Sequence, residues 1–273
     1  MEFTSVPESN GCWSSASGNF DGQLLSIGVA QWNFGQGSLQ PLLKKFKSAY
    51  VHESQFKQEL STFMPLYGPD LFSSQCLSKK IGQKCINFIN SMQNQKGKLN
   101  LDFQAEVNKL FDSDLMTQIQ ADIYIKLLGS VSSDLKRIFT DKPTTLQVKW
   151  AIDTKVQQGE FPKDSDLKRV REKLLVANDE NFQKHLIGII TWYKGLCMTL
   201  DQDGTKYDYL YNVEKWTDVI KKKKYTQEAP ELLMFTFLRS RVAAGKGGLY
   251  QADTFQRRAK IIFGVGSVHG SRS

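Results

Sequence analysis

FDGQLLSIGVAQWNFGQGSLQPLL, residues 20–43, changes its period halfway along. Leu25, Ile27 and Val29 alternate with neighbours that face the other way, the period of two that puts one row of side chains on a buried sheet face. They lie in a Gly-, Ser- and Asn-rich stretch over 10–37. From residue 39 onward the apolar positions Leu39, Leu42, Leu43, Phe46 and Tyr50 recur at helical spacing, with Lys44, Lys45 and Lys47 elsewhere and Ser38 as the expected N-cap. The stretch predicts a small hairpin or sheet that feeds directly into a helix.

Working outward, helical spacing recurs over 56–64, 81–92, 103–139, 145–158, 166–176, 182–198, 230–244 and 255–263. Pro143, Pro162 and Pro230 fall near the starts of such segments, where a missing N–H is harmless. The exception is TLDQDGTKYDYLYNV, 199–213, which places Asp203-Gly204 between two β-prone runs. It reads as a second hairpin with Tyr207, Tyr209 and Tyr211 on one strand face. A calcium loop at Asp201-x-Asp203-Gly204 lacks its third acidic ligand before the glycine, so the hairpin is preferred. The fold class is therefore mainly α: a helical body with a small N-terminal β-hairpin.

The chain has 273 residues, 40% hydrophobic and 23% charged, enough to bury a core and outside the compositions of disordered or collagen-like proteins. Twenty Gly and seven Pro, mostly isolated, mark no linker, so residues 1–273 read as a single domain. Thirty-six Lys and Arg against 28 Asp and Glu give a net charge of +8, which favours polyanionic partners. Four cysteines, Cys12, Cys76, Cys85 and Cys197, are too few for a disulfide scaffold. Cys76 and Cys85 could bridge, but reduced, partly buried thiols are the preferred reading. No apolar run approaches the roughly 18 residues of a membrane span. The first residues, MEFTSVPESNGCW, lack the basic and apolar regions of a secretory signal.

Hydrolysis of a glycosidic bond requires an acid to protonate the leaving oxygen, a second carboxylate on the other face, and amides or hydroxyls to hold the sugars. The N-terminal region supplies these in order: Glu8-Ser9, then Asp21-Gly22, then Ser26-Ile27-Gly28-Val29-Ala30-Gln31-Trp32-Asn33. A glutamate beside Phe3, Trp13 and Trp32 would be held protonated near neutral pH by desolvation, while Asp21, in a wetter turn, would stay ionised. Gln31 and Asn33 alternate with Trp32, so on a strand they would face a groove while Trp32 faces the core.

Glu8-Ser9 followed by Gly28-x-x-Gln31 resembles the Glu-Ser and Gly-x-x-Gln signature of the lysozyme-like superfamily, which holds goose-type lysozymes and lytic transglycosylases. Asp21-Gly22 with Ser26-x-Gly28 further resembles the hairpin of family 46 chitosanases, although the gap from Glu8 to Asp21 is shorter here. The string over 20–43 is similar to phage-type and type VI effector-type peptidoglycan hydrolases. Asp153-x-x-Val156-Gln157-x-Gly159, Arg241-x-Ala243-x-Gly245 and Arg258 leading to Gly264-x-Gly266-x-Val268-His269-Gly270 look familiar from the same group. The resemblance implies an α+β lysozyme-like domain whose hairpin lines a substrate groove, and a muramidase that cuts peptidoglycan glycan strands. Glu8 would be its general acid and Asp21 its base. Ser9, Ser26, Gln31, Asn33 and Gln157 would bind substrate. No cofactor or metal is implied. The site of action would be the bacterial cell wall, in the periplasm or outside the cell. The parent would be a phage lysin or secreted antibacterial effector, of which this chain is a module, and an immunity protein that plugs the groove would be its partner.

Three rivals remain: a lytic transglycosylase working with one carboxylate, a non-catalytic glycan-binding module, and a cysteine peptidase. The last rests on Gly11-Cys12-Trp13-Ser14, which resembles the papain-like nucleophile site and would need His185 or His269 beside Cys12, but the oxyanion-hole Gln is absent upstream. The basic clusters Lys221 to Lys224, Arg239 with Arg241, and Arg257-Arg258 with Lys260 read first as solvated helix faces and second as surfaces drawn to anionic wall polymers. No zinc finger or aromatic-basic signature supports nucleic acid as a partner.

Overall fold

The computed structural model describes residues 13–19, 22–139, 142–176, 179–200, 208–243, 248–268 and 271–272. These are mainly α-helical, with a three-stranded antiparallel sheet near the N-terminus, as the change of period in 20–43 predicts. The span read as one domain falls by its contacts into two compact units, 1–127 and 128–273. No helix among the described residues is long and apolar enough to cross a membrane.

In the first unit β1 (Ala16–Ser17), β2 (Ser26–Ile27) and β3 (Trp32–Asn33) pair in that order, with Ala16 and Trp32 both opposite Ile27. Leu25, Ile27 and Val29 are buried, so the alternating row does face the core. That core is shared with α1 (Gln40–Ser48), α2 (Glu53–Phe63), the short α3 (Gly68–Leu71) and α4 (Ser74–Leu77), α5 (Gln83–Ser91), α6 (Leu101–Phe111) and the first part of α7 (Asp114–Ile138). Helix α1 buries Leu42, Leu43 and Phe46 and leaves Lys44 and Lys45 in solvent. Its N-cap is Leu39, because the Ser38 hydroxyl is taken by the Asn33 backbone N–H at 2.8 Å. The rings of Phe46, Tyr50, Phe56 and Phe72 then gather α1, α2 and the end of α3 into one aromatic cluster.

Two expectations in this unit change. The period over 103–139 is divided between α6 and α7, and the Ser113 hydroxyl at the break donates to the Leu110 carbonyl at 2.6 Å. Cys76 and Cys85 are bonded to each other rather than reduced. The turn between α4 and α5, closed by the Gly82 N–H on the Gln75 carbonyl, brings their Cα atoms to 5.1 Å, within disulfide reach.

The second unit contains the rest of α7, then α8 (Thr145–Gln158), α9 (Asp164–Val176), α10 (Asp179–Leu200), α11 (Tyr209–Lys221), α12 (Ala229–Arg241) and α13 (Leu249–Phe263). The antiparallel pair β4 (Ser267–Val268) and β5 (Ser271–Arg272) follows. Helix α8 opens on a Thr144–Gln147 capping box and stops at left-handed Gly159. Trp150, Tyr193, Trp216, Phe235 and Phe255 are fully buried in the core.

The described ends of the stretch read as a second hairpin are helical instead. Residues 201–207, with Asp203-Gly204 and Tyr207, lie outside the described residues, and from Tyr209 the chain is helical. Tyr209, Asn212, Trp216 and Ile220 carry the buried stripe at spacings of three and four, and this overrides the local alternation of tyrosines. Tyr211 instead receives Lys215 over its ring at 5.4 Å. Nor is Arg257-Arg258 a solvated face, since both side chains are buried.

Candidate functional site

The Gly28-x-x-Gln31 motif is a closed turn between β2 and β3. Gly28 has φ +87°, and a Cβ there would lie 2.4 Å from Gln120 Oε1 and 2.8 Å from the Trp32 ring, so only glycine fits. The Gln31 backbone N–H donates to the Gly28 carbonyl at 3.0 Å, and its side-chain Nε2 donates to the same carbonyl and to that of Ser15, both at 3.1 Å. Its Oε1 accepts from the Ser17 hydroxyl at 2.8 Å. One amide thus ties β1 to the turn, and Gln31 itself is held in the left-handed region at φ +49°. From α7, Gln120 accepts from the Val29 N–H at 3.4 Å and donates to the Phe111 carbonyl at 3.1 Å.

Asn33 Oδ1 accepts from the Gln36 N–H at 2.8 Å, and its Nδ2 donates to the Gln31 carbonyl at 3.4 Å. The expected alternation of Gln31 and Asn33 against Trp32 therefore differs from what forms. Gln31 belongs to the turn before the strand, and Trp32 and Asn33 are both buried. Ser26 is buried on β2 opposite Asn33. The structure thus brings Ser26, Gln31 and Asn33 together on one small sheet.

Glu8, Ser9, Cys12 and Asp21 lie outside the described residues. The frame on either side of Asp21 is described. The Asn19 N–H donates to Gln93 Oε1 at 2.5 Å, Asn19 Oδ1 accepts from the Leu24 N–H at 2.9 Å, and Gln93 Nε2 donates to the Leu24 carbonyl at 3.3 Å. Gly18 packs so closely on the Gly97 carbonyl that a Cβ would stand 2.2 Å from it. Leu24 is held left-handed at φ +68°. Of the four described non-glycine residues at positive φ, Leu24 and Gln31 flank this one short segment. Gln93 and Gln120, its anchors, carry no motif in the sequence; only their placement in the fold marks them.

Gln157 belongs to the second unit, and so do the three downstream stretches of the resemblance, the first and third of which one interior network joins. Arg257 grips Asp153 Oδ1 through Nη2 at 2.6 Å and Nε at 3.2 Å, and Arg258 Nε stands 3.3 Å from Asp153 Oδ2. Arg258 Nη1 donates to Gln158 Oε1 at 2.7 Å and Nη2 to Gln157 Oε1 at 3.5 Å. Gln157 Nε2 donates to Asp253 Oδ2 at 3.2 Å, and Gln158 Nε2 to the Arg239 carbonyl at 3.1 Å. From Asp253 the chain of bonds continues through Gln256, the Tyr193 hydroxyl and Asn212 to Ser267 and Asp208.

Burial pushes the Arg258 guanidinium down to about 10, with Asp153 pulling it back up and Arg257 and Arg239 adding to the fall, so it remains a cation at neutral pH. Asp153 thus answers two buried guanidiniums at once. His185, the described candidate partner for Cys12, places its Nδ1 2.6 Å from the Asn181 carbonyl of its own helix.

Chemically, the first unit offers a small sheet whose turn is held by side-chain amides, and the second offers a buried ionic scaffold. No family model, no curated protein and no solved structure matches this chain.

Proposed function

We propose that the chain is a peptidoglycan-degrading glycoside hydrolase of the muramidase type, with Glu8 as general acid and Asp21 as base. The observation that carries this reading is the Gly28–Gln31 turn. A Gly-x-x-Gln whose ends are bonded to each other stands on a small sheet at the head of a mainly helical chain, and left-handed Leu24 and Gln31 follow Asp21 in the sequence. In this reading Gln31 and Asn33 fix the turn, while Ser9 and Ser26 supply hydroxyls to water or sugar. Gln157 serves through the interior scaffold of the second unit. Glu8 gives its proton to the glycosidic oxygen as the bond to the anomeric carbon breaks. Asp21 takes a proton from the water that attacks that carbon, which inverts its configuration. The place of action is the bacterial wall, reached by phage lysis or a secretion machine, and an immunity protein covers the groove in the producer.

The test is fragment release from purified sacculi with mass spectrometry of the new ends. Glu8→Gln is expected to lower release by at least about 100-fold with the fold retained, the scale of a lost general acid, and Asp21→Asn to lower turnover with little change in binding. Hydrolysed reducing ends support the reading, anhydro-sugars assign a transglycosylase, and peptide-bond products lost with Cys12→Ala assign the peptidase. Binding without release assigns a glycan-binding module.

A further inference from the structure

Helices α4 and α5 bury little besides their cysteines. Of α4 only Cys76 is buried, and of α5 only Cys85 and Ile89. Helix α5 has nine residues, opens on Gly82 without a side-chain cap, and carries no acid in its first turn. Helices shorter than about 12 residues are marginal in water unless packing holds them. The Cys76–Cys85 bond is therefore a large share of what fixes the start of α5, with buried Ile89 and the Phe88 ring, edge-on to Phe103 at 5.8 Å, completing the grip.

What α5 carries lies past its other end. Gln93 accepts from the Asn19 N–H and donates to the Leu24 carbonyl. The turn around it is tied to itself: the Asn94 N–H donates to the Lys98 carbonyl at 3.0 Å, Asn94 Oδ1 accepts from the Lys96 and Lys98 N–H groups at 2.9 and 3.0 Å, and the Asn100 N–H donates to the Met92 carbonyl at 2.8 Å. Gly18 sits against the Gly97 carbonyl of the same turn. Gly18, Asn19 and Leu24, on the link from β1 to β2, are thus held from a turn that α5 delivers. Cys76 and Cys85 are 0% and 1% exposed, so a thiol reagent reaches their bond only when this corner opens, and the folded chain keeps the redox state in which it folded.

We propose that the Cys76–Cys85 bond is a redox latch on the β1–β2 link, closed in an oxidising compartment and open in a reducing one. To close it, a disulfide-donating oxidoreductase takes two electrons and two protons from the cysteine pair; the donor's S–S bond breaks, the Cys76–Cys85 bond forms, and the donor leaves as a dithiol. To open it, a dithiol reductant attacks one sulfur as thiolate, passes through a mixed disulfide and leaves as its own disulfide, with two thiols left on the chain. Closed, the bond seats α5 so that Gln93 meets Asn19 and Leu24. Open, α5 frays from its first turn and the anchor loosens. The consequence for activity rests on the reading of the chain as a wall hydrolase: Asp21 lies between Asn19 and Leu24 in the sequence, so the reduced chain is the less active form and the oxidised chain, at the wall, the more active one.

The experiment is amide hydrogen exchange on the full chain, oxidised and after unfolding and refolding in a dithiol reductant, beside Cys76→Ala with Cys85→Ala. Fragment release from sacculi is recorded in parallel. In the reduced chain and in the double variant, exchange at Asn19 and Leu24 is expected to speed up by at least about ten-fold, with α6 and residues 145–263 unchanged. The double variant should not respond to reductant, which separates this pair from Cys12 and Cys197. Gln93→Ala should free the same two amides with the disulfide intact, and reduction should then add little. Unchanged exchange at Asn19 and Leu24 overturns the proposal, since α6 then holds the turn unaided. Protection lost through 101–111 as well also overturns it, because the bond then holds the whole first unit rather than one link. Faster exchange with equal release from both forms overturns the latch as a switch, and faster exchange with lower release from the reduced chain upholds it. Faster exchange with no release from either form upholds the latch and removes the hydrolase reading instead.

Discussion

Gly28 shows how much one missing side chain decides. Its backbone lies where an L-residue pays about 1–2 kcal/mol, and the space a methyl would need is already filled by Gln120 and the Trp32 ring. Gly28→Ala is therefore expected to destabilise the first unit by on the order of 2–4 kcal/mol, read as a lower denaturant midpoint. Gly28 and Gln31 could be named from sequence because they sit three residues apart in a turn, where local geometry and motif coincide. Gln93 and Gln120 could not, since they reach the same segment from 74 and 91 residues away and amides carry no periodic signal. The same holds for Asp153, which meets Arg257 across 104 residues.

Among the elements, helices declared themselves wherever an apolar stripe ran at spacings of three and four, as in α1 and α6. The stretch before α11 misled because three tyrosines at alternate positions mimic a strand, whereas the burial of Asn212 and Trp216 follows the helical stripe. The α4–α5 link misled for another reason: sequence spacing permits a bridge without requiring one, and only the turn at Gly82 sets the sulfurs facing. Closing a loop of nine residues' separation is expected to contribute about 2–3 kcal/mol by restricting the unfolded chain. Reduction, or Cys76→Ala with Cys85→Ala, should accordingly lower the denaturant midpoint; an unchanged midpoint under reductant means that the helix contacts alone hold this corner.

At the scale of the molecule, each unit has its own kind of interior. The first is built on aliphatic and aromatic packing, with Phe46, Phe103 and Phe111 fully buried. The second encloses an ionic centre, and removing its carboxylate takes from two buried guanidiniums the anion they share. Asp153→Ala is expected to cost about 3–5 kcal/mol, with the largest loss of amide exchange protection falling within 145–263. Protection kept throughout that span would mean that water or shifted amides replace the carboxylate. The mainly helical class and the small N-terminal sheet were readable in advance because both depend on local period. The division into two units, and the joining of Asp153 and Gln157 to Arg258 in one network, depend on which helices meet, which no single stretch encodes.

The bonds that run from Gln158 through Arg258, Gln157 and Asp253 to Tyr193, Asn212 and Ser267 also constrain how this protein can change over time. Most of these groups serve two neighbours at once, so an isolated replacement strands two partners, and a tolerated one requires a second change nearby. Evolutionary drift along this thread would then proceed by matched pairs, and close kin of the chain would differ there in couples or not at all.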